Sequence, residues 1–381
     1  MHSWIDLSQT FVIAEMDKYF PENYCEGRKL FRAACERNDL KIDSHTHPEV
    51  RGPNGEDLAI DCVWIGPVRA QRVLLLLCGT HGLEAGPGAA TILQWMDSGA
   101  LQNLSEGTAV MIIYGVNPYG WAYSSRTNED NIDLNRNFLD HTCEYPPNSG
   151  YAEVHSHILT DDISNTGLES ALGHFHRFAE QHGDTAALQA ITAGQFENPE
   201  GLGFGGRNLS WSVTLVQKLI KTHFTHAKKV IAIDWHTGIG HYAEPFIILE
   251  DDVGSDMHTR ASQVWGADYI HADDIFEGTK KPDYIGLVMN GLKNQISISC
   301  GANVLGVVIE WGTYGLDSML QALFMDNWLR TKAEDPDSTD VLVLKERLKE
   351  RFYPSQPEWR QSILAHSARI YTQTLSALKE W

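Results

Sequence analysis

Four strongly apolar runs constrain this chain more than any other feature: Val73–Cys78, Ala109–Val116, Lys229–His236 and Val304–Glu310. None of them alternates apolar and polar residues. A strand of that kind is buried on both faces, which requires a sheet covered by helices on both sides, and such sheets are mainly parallel. Helical spacing fills the intervals, as in Ala89–Met96 behind the first run and Trp211–His223 ahead of the third. A further strand is expected from Leu58 to Ile65 and another at Pro245–Glu250. Two helices split at Pro21 are expected within Asp6–Arg37. Leu316–Trp381 reads as helical, with breaks at Glu334–Asp340 and Pro354–Pro357. No repeat or linker divides the 381 residues, so the expectation is one α/β domain with a motif-bearing core from residue 58 to 315.

Each run ends in residues with chemical potential. Open α/β sheets place their sites at the carboxyl ends of the strands. The first run passes into T-H-G-L-E, where one turn of backbone brings His81 and Glu84 to the same side. Alone, this pair is a weak signal and reads more readily as the surface start of a helix whose dipole favours the glutamate. The third run ends in D-W-H-T-G. His236 there closes a second central strand, with Asp234 on the same face because side chains alternate. Two imidazoles and a carboxylate suit Zn²⁺, which keeps a fourth position open in catalytic sites. Glu310 closes the fourth run, and a carboxylate at the end of a buried strand must be solvated, paired or catalytic. It is the natural general base. The second run ends in N-P-Y-G, and residues 124–138 behind it are dense with groups that fix a carboxylate or an oxyanion.

Charge and cysteine usage narrow the setting. Thirty Lys and Arg against fifty Asp and Glu give a net charge of −20, which repels nucleic acid and anionic membrane surfaces. Six cysteines without a C-x-x-C pair fit reduced, buried thiols of a cytoplasmic protein. The N-terminus lacks a basic region followed by an apolar one, so no secretory signal is expected. His45 and His47, in the polar stretch H-T-H-P-E, read as solvated loop residues. The glycine-rich residues 194–206 lack the terminal G-K-[ST] of a phosphate loop and read as a mobile loop near the site.

Taken together, H-G-L-E, N-P-Y-G, S-R-T-N, D-L-N-R-N-F, D-W-H-T-G and I-E-W-G-T resemble, in order and spacing, the zinc carboxypeptidases of the carboxypeptidase A type. The chain looks most similar to a bacterial branch of carboxypeptidase-like metallohydrolases filed as a domain of unknown function. The resemblance implies a three-layer α/β/α sandwich with a mixed, largely parallel sheet of about eight strands. It implies that His81, Glu84 and His236 bind zinc and that Glu310 is the base and then the proton donor. It implies further that Arg126 stabilises the oxyanion, that Asn135 and Arg136 bind the substrate's free carboxylate, and that Asp133 accepts a hydrogen bond from His81. The family's substrate-binding tyrosine has no motif here. Tyr284 is its nearest counterpart by spacing, with Tyr242 and Tyr314 behind it. The expected activity is zinc-dependent hydrolysis of an amide next to a free carboxylate, on a small peptide. One alternative is deacylation of an N-acyl amino acid, as in enzymes like aspartoacylase and succinylglutamate desuccinylase, although those carry a β-rich C-terminal domain where this chain reads as helices. A catalytically inactive binding protein is the other alternative.

Overall fold

The computed structural model describes residues 16–276, 279–335 and 338–381. The first of the two helices expected before the sheet lies largely outside them. In chain order the elements are α1 (Tyr24–Arg37), β1 (Ile42–Arg51), β2 (Asp57–Ile65), β3 (Arg72–Cys78), α2 (Ala85–Asp97), β4 (Thr108–Tyr114) and α3 (Pro118–Tyr123). Then follow α4 (Ser149–Ile158), α5 (Asn165–His182), α6 (Asp184–Thr192), α7 (Trp211–His223), β5 (Lys229–Gly238), β6 (Pro245–Leu249), α8 (Asp256–Trp265) and β7 (Ile270–His271). After a two-stranded ribbon, β8 (Asp274–Phe276) and β9 (Thr279–Lys280), come α9 (Val288–Cys300), β10 (Asn303–Gly312), α10 (Leu316–Thr331), α11 (Thr339–Phe352) and α12 (Pro357–Glu380).

Eight strands form one mixed sheet in the order β1-β2-β4-β3-β5-β10-β6-β7. The four apolar runs are its centre, β4-β3-β5-β10, and all pair in parallel, so their carboxyl ends share one edge. On the flanks β1 runs antiparallel to β2, β2 to β4 and β6 to β10, and β7 pairs in parallel with β6. The alternation of β3 explains its continuous apolar sequence. Leu74, Leu76 and Cys78 pack with residues of α2 and α12, whereas Val73, Leu75 and Leu77 pack with residues of α7 and α9. With helices against both faces, every position from Val73 to Cys78 is buried, and only Arg72 at the strand's start is half-exposed. A third cluster joins α4, α5, α6, α10 and α11 and includes Leu83, which anchors the T-H-G-L-E turn from below.

Three expectations need correction. His45 and His47 do not lie in a loop: they sit in the antiparallel edge strand β1, with His47 buried against Trp211 and 3.1 Å from Glu129. Residues 194–206 form a fold closed on itself rather than a mobile loop. Buried Gln195 bonds the backbone of Glu197, Asn198 and Leu202, and Asn131 binds the carbonyls of Pro199 and Gly201. The cysteines are all free, but Cys25 and Cys143 are exposed rather than buried. Among the described residues no helix is long and apolar enough to cross a membrane.

Candidate metal centre

Backbone geometry assembles the centre at the sheet edge. Leaving β3, the chain turns at Gly79 and enters a 3-10 turn, Gly82–Glu84, which leads into α2. This turn puts His81 and Glu84 on the same side. From the neighbouring β5, His236 reaches the same point. The Nδ1 atoms of His81 and His236 stand 3.1 Å apart, and each lies 2.9 Å from one oxygen of Glu84. Among the described residues these three form the one cluster of His, Cys, Asp and Glu whose donor atoms can share a cation.

The outer nitrogens decide how this set fits a metal ion. His81 Nε2 lies 3.2 Å from Asp133 Oδ1, and His236 Nε2 lies 3.0 Å from Asp234 Oδ2. A carboxylate only accepts, so the His81 ring carries its proton outward and turns an Nδ1 lone pair inward, while Asp234 stands at ion-pair distance from His236 Nε2 without hydrogen-bond alignment. Nitrogens about 2.0–2.1 Å from one tetrahedral Zn²⁺ stand roughly 3.3 Å apart, close to the spacing found. In the metal-free chain a proton on His236 relieves the repulsion among these inward donors and the Glu84 carboxylate, and a divalent cation would take its place. The donor set, its spacing and its outer partners therefore suit Zn²⁺.

Electrostatics follow from the same contacts. Burial pushes Glu84 upward, but His81 and His236 outweigh it and hold the carboxyl well below the usual range. Burial likewise opposes ionisation of Asp133, yet Arg126 and His81 hold it well below the ordinary value. Burial disfavours the charged His236, but Asp234 and Glu84 hold it well above the usual imidazole value.

Glu310 faces the cluster from β10. It is paired in register with His236, so the pleat puts both on one sheet face in adjacent strands. It is 7% exposed and its Oε2 has no hydrogen-bond partner. Burial, reinforced by the charge of Glu84, pushes its carboxyl up to about 8 against the pull of His236 and Arg126. A carboxyl whose folded value lies above its unfolded one of 4.5 takes up a proton on folding between those two pH values. Its contribution therefore falls as pH rises through about 4.5 to about 8. The metal-free Glu310→Gln protein, which cannot ionise there, is expected to match the wild type in Tm near pH 4 and to exceed it above pH 8. Thermal unfolding across that range checks the sign.

Arg126 joins the two carboxylates around the first histidine. Its Nη1 donates to Glu84 Oε1 at 3.0 Å and its Nε to Asp133 Oδ2 at 3.3 Å, leaving three of its five N–H groups for other acceptors. Arg136 is buried and donates to the Thr192 and Asn135 carbonyls, with Tyr284 stacked 4.7 Å from its guanidinium. All three contacts go to neutral acceptors, so its charge has no directly bonded carboxylate. Asn135 spends its side-chain oxygen on the N–H of Val288. Tyr242 and Tyr314 pair with one another at 5.6 Å, and Tyr314 donates to Glu350 and Gln356, away from Arg136. Arg126, Asp133 and Arg136 line a cavity of about 40 Å³. A larger cavity of about 790 Å³ opens beside Glu310, between Gly238, His241, Phe246 and His271, and Phe246 is the cross-strand partner of Glu310.

Asp234 was visible in the sequence only as a neighbour of His236, and its role as the outer partner of that ring comes from the geometry. Its second link, accepting from Thr80 Oγ1 at 2.8 Å, joins the ends of β3 and β5 and has no signature in the motifs.

A family model described as "Protein of unknown function (DUF2817)" matches residues 20–366. The chain belongs to that family. The centre of this DUF2817 member thus lies wholly within the matched region. No curated protein matches the chain. Among solved structures, the carboxypeptidase A of Helicoverpa armigera is similar at 11% identity and a TM-score of 0.49, covering 88% of this chain and 74% of its own. A metallo-carboxypeptidase from Burkholderia cenocepacia gives 12% identity and a TM-score of 0.46, with 95% and 71% covered. The succinylglutamate desuccinylase of Chromobacterium violaceum gives 16% identity and a TM-score of 0.34, with 81% and 77% covered.

Proposed function

We propose that this DUF2817 member is a zinc-dependent hydrolase that cleaves an amide bond next to a free carboxylate. The observation that carries the reading is the inward convergence of His81 Nδ1, His236 Nδ1 and Glu84, with an unpartnered glutamate oxygen on the same sheet face. Zinc held by His81, Glu84 and His236 would supply a Lewis acid that brings the pKa of water near neutrality and polarises a carbonyl.

The chain's own residues account for the rest. With its carboxyl ionised, a form that the positive charge of a bound cation would favour, Glu310 Oε2 accepts a proton from the attacking water and returns it to the leaving nitrogen. Arg126 offers permanent positive charge to an oxygen on which negative charge develops. Arg136, buried and without a directly bonded carboxylate, offers its charge to the substrate's carboxylate, with Tyr284 holding the guanidinium plane.

The test compares three substrates under zinc loading: an N-blocked dipeptide with a free carboxylate, its C-terminal amide, and an N-acyl amino acid. Turnover of the first alone supports the reading; equal turnover of the amide removes the carboxylate from it. Preference for the third selects the deacylase. The outer partner of His236 gives a further check. Asp234→Asn is expected to weaken zinc binding by about 10–100-fold, read by competition with a chromophoric chelator.

A further inference from the structure

One side chain outside every motif reaches the backbone of the arginine beside the metal centre. Asp326, on α10, is 5% exposed, and its Oδ2 accepts the N–H of Arg126 at 3.1 Å. Its Oδ1 has no partner, and the residue lines the cavity it shares with Arg126 and Arg136. The neighbouring positions of the same helix grip the surrounding loops. Asn327 donates to the carbonyl of Glu200, and Arg330 donates to Ser125 Oγ and to the carbonyl of Glu129, both at 3.4 Å.

The far side of the same residue is held as well. The Arg126 carbonyl accepts from Gly82 at 3.3 Å and from Asn117 Nδ2 at 3.2 Å, and the Ser125 carbonyl accepts from Leu83 at 3.1 Å. The backbone of Arg126 is therefore clamped between α10 and the turn that carries His81 and Glu84. We infer that Asp326 is a positioning residue: by fixing the Arg126 backbone, it sets the guanidinium at the height needed to meet an oxyanion above the metal centre.

This inference rests on the hydrolase reading for its catalytic consequence, but not for its geometry. Misplacing a catalytic group by about 1 Å costs up to roughly 10²-fold in rate, which is the size of effect such a clamp protects. Asparagine has the shape of aspartate and keeps an acceptor oxygen for the Arg126 N–H. Leucine has the same branching and no acceptor.

The experiment uses the full-length, zinc-loaded chain as wild type, Asp326→Asn and Asp326→Leu. Amide exchange at Arg126 is followed by NMR, and kcat and KM are measured on an N-blocked dipeptide with a free carboxylate. The leucine variant is expected to exchange the Arg126 amide at least about tenfold faster and to lose about 10–100-fold in kcat, with KM and zinc content little changed. The asparagine variant is expected to keep the protection and to stay within about threefold of the wild-type kcat. A purely structural role would instead lower Tm and speed exchange across residues 124–128 without singling out Arg126. Unchanged exchange at Arg126 in the leucine variant overturns the inference. So does a loss of protection or of more than tenfold in kcat in the asparagine variant, which decides the matter if the leucine protein does not fold. If the wild type hydrolyses no amide at all, the hydrolase reading fails while the exchange measurement still tests the clamp.

Discussion

Replacing His81 with alanine is expected to empty the metal centre and abolish hydrolysis. The substitution removes one of two inward Nδ1 donors, leaving Glu84 and His236 to hold the ion with two residues, fewer than the three protein ligands of catalytic zinc sites. Zinc content, measured on the purified protein, is expected to fall from about one per chain to less than a tenth of that, and amide hydrolysis by about a thousandfold or more. The fold should survive. Asp133 loses its imidazole partner but keeps Arg126 Nε and the N–H of Asn135, so no charge is left buried and unpaired. A His81→Ala protein with unchanged zinc stoichiometry would remove the metal centre from the account, because no other cluster among the described residues offers three convergent donors.

Glu310→Gln separates chemistry from binding. Glutamine has the same shape and keeps an acceptor oxygen, so the strand end need not move. What it loses is the basic oxygen. The expected result is a fall in kcat of about 10²–10⁴-fold with zinc content intact and KM little changed. A kcat within threefold of the wild type would mean that the proton acceptor lies elsewhere. A protein that binds an N-blocked dipeptide unchanged in this variant, and that never hydrolyses it as wild type, would be the inactive binding protein.

How much of this was legible before the structure depends on where each residue sits. The central strands were readable because burial on both faces leaves no polar alternation in Val73–Cys78 or Ala109–Val116. The convergence of His81, Glu84 and His236 was readable for the same reason, since they punctuate those runs at one edge. Edge strand β1 was not. Its Asp43, Ser44, His45 and Thr46 meet solvent or a single neighbour, and such a sequence looks like a turn. The glycines of residues 194–206 misled in a different way. They were read as freedom, whereas several make room: a Cβ at Gly205 would lie 2.2 Å from the Phe196 ring, and one at Gly194 would lie 2.9 Å from the Arg136 side chain. Asp326 had no signal at all, because a single acid in an amphipathic helix looks like any solvated residue until its helix is docked.

The pairing of β5 with β10 runs unbroken from Lys229 with Asn303 to Gly238 with Gly312. A slip of one residue along that seam would turn Glu310 to the opposite side of the sheet from His236, and each rung resists it. The spacing between Glu310 and His236 is thereby written into the ladder rather than into any loop. Insertions or exchanges in the surrounding segments can therefore change the rim of the sheet while Glu310 and His236 keep their separation.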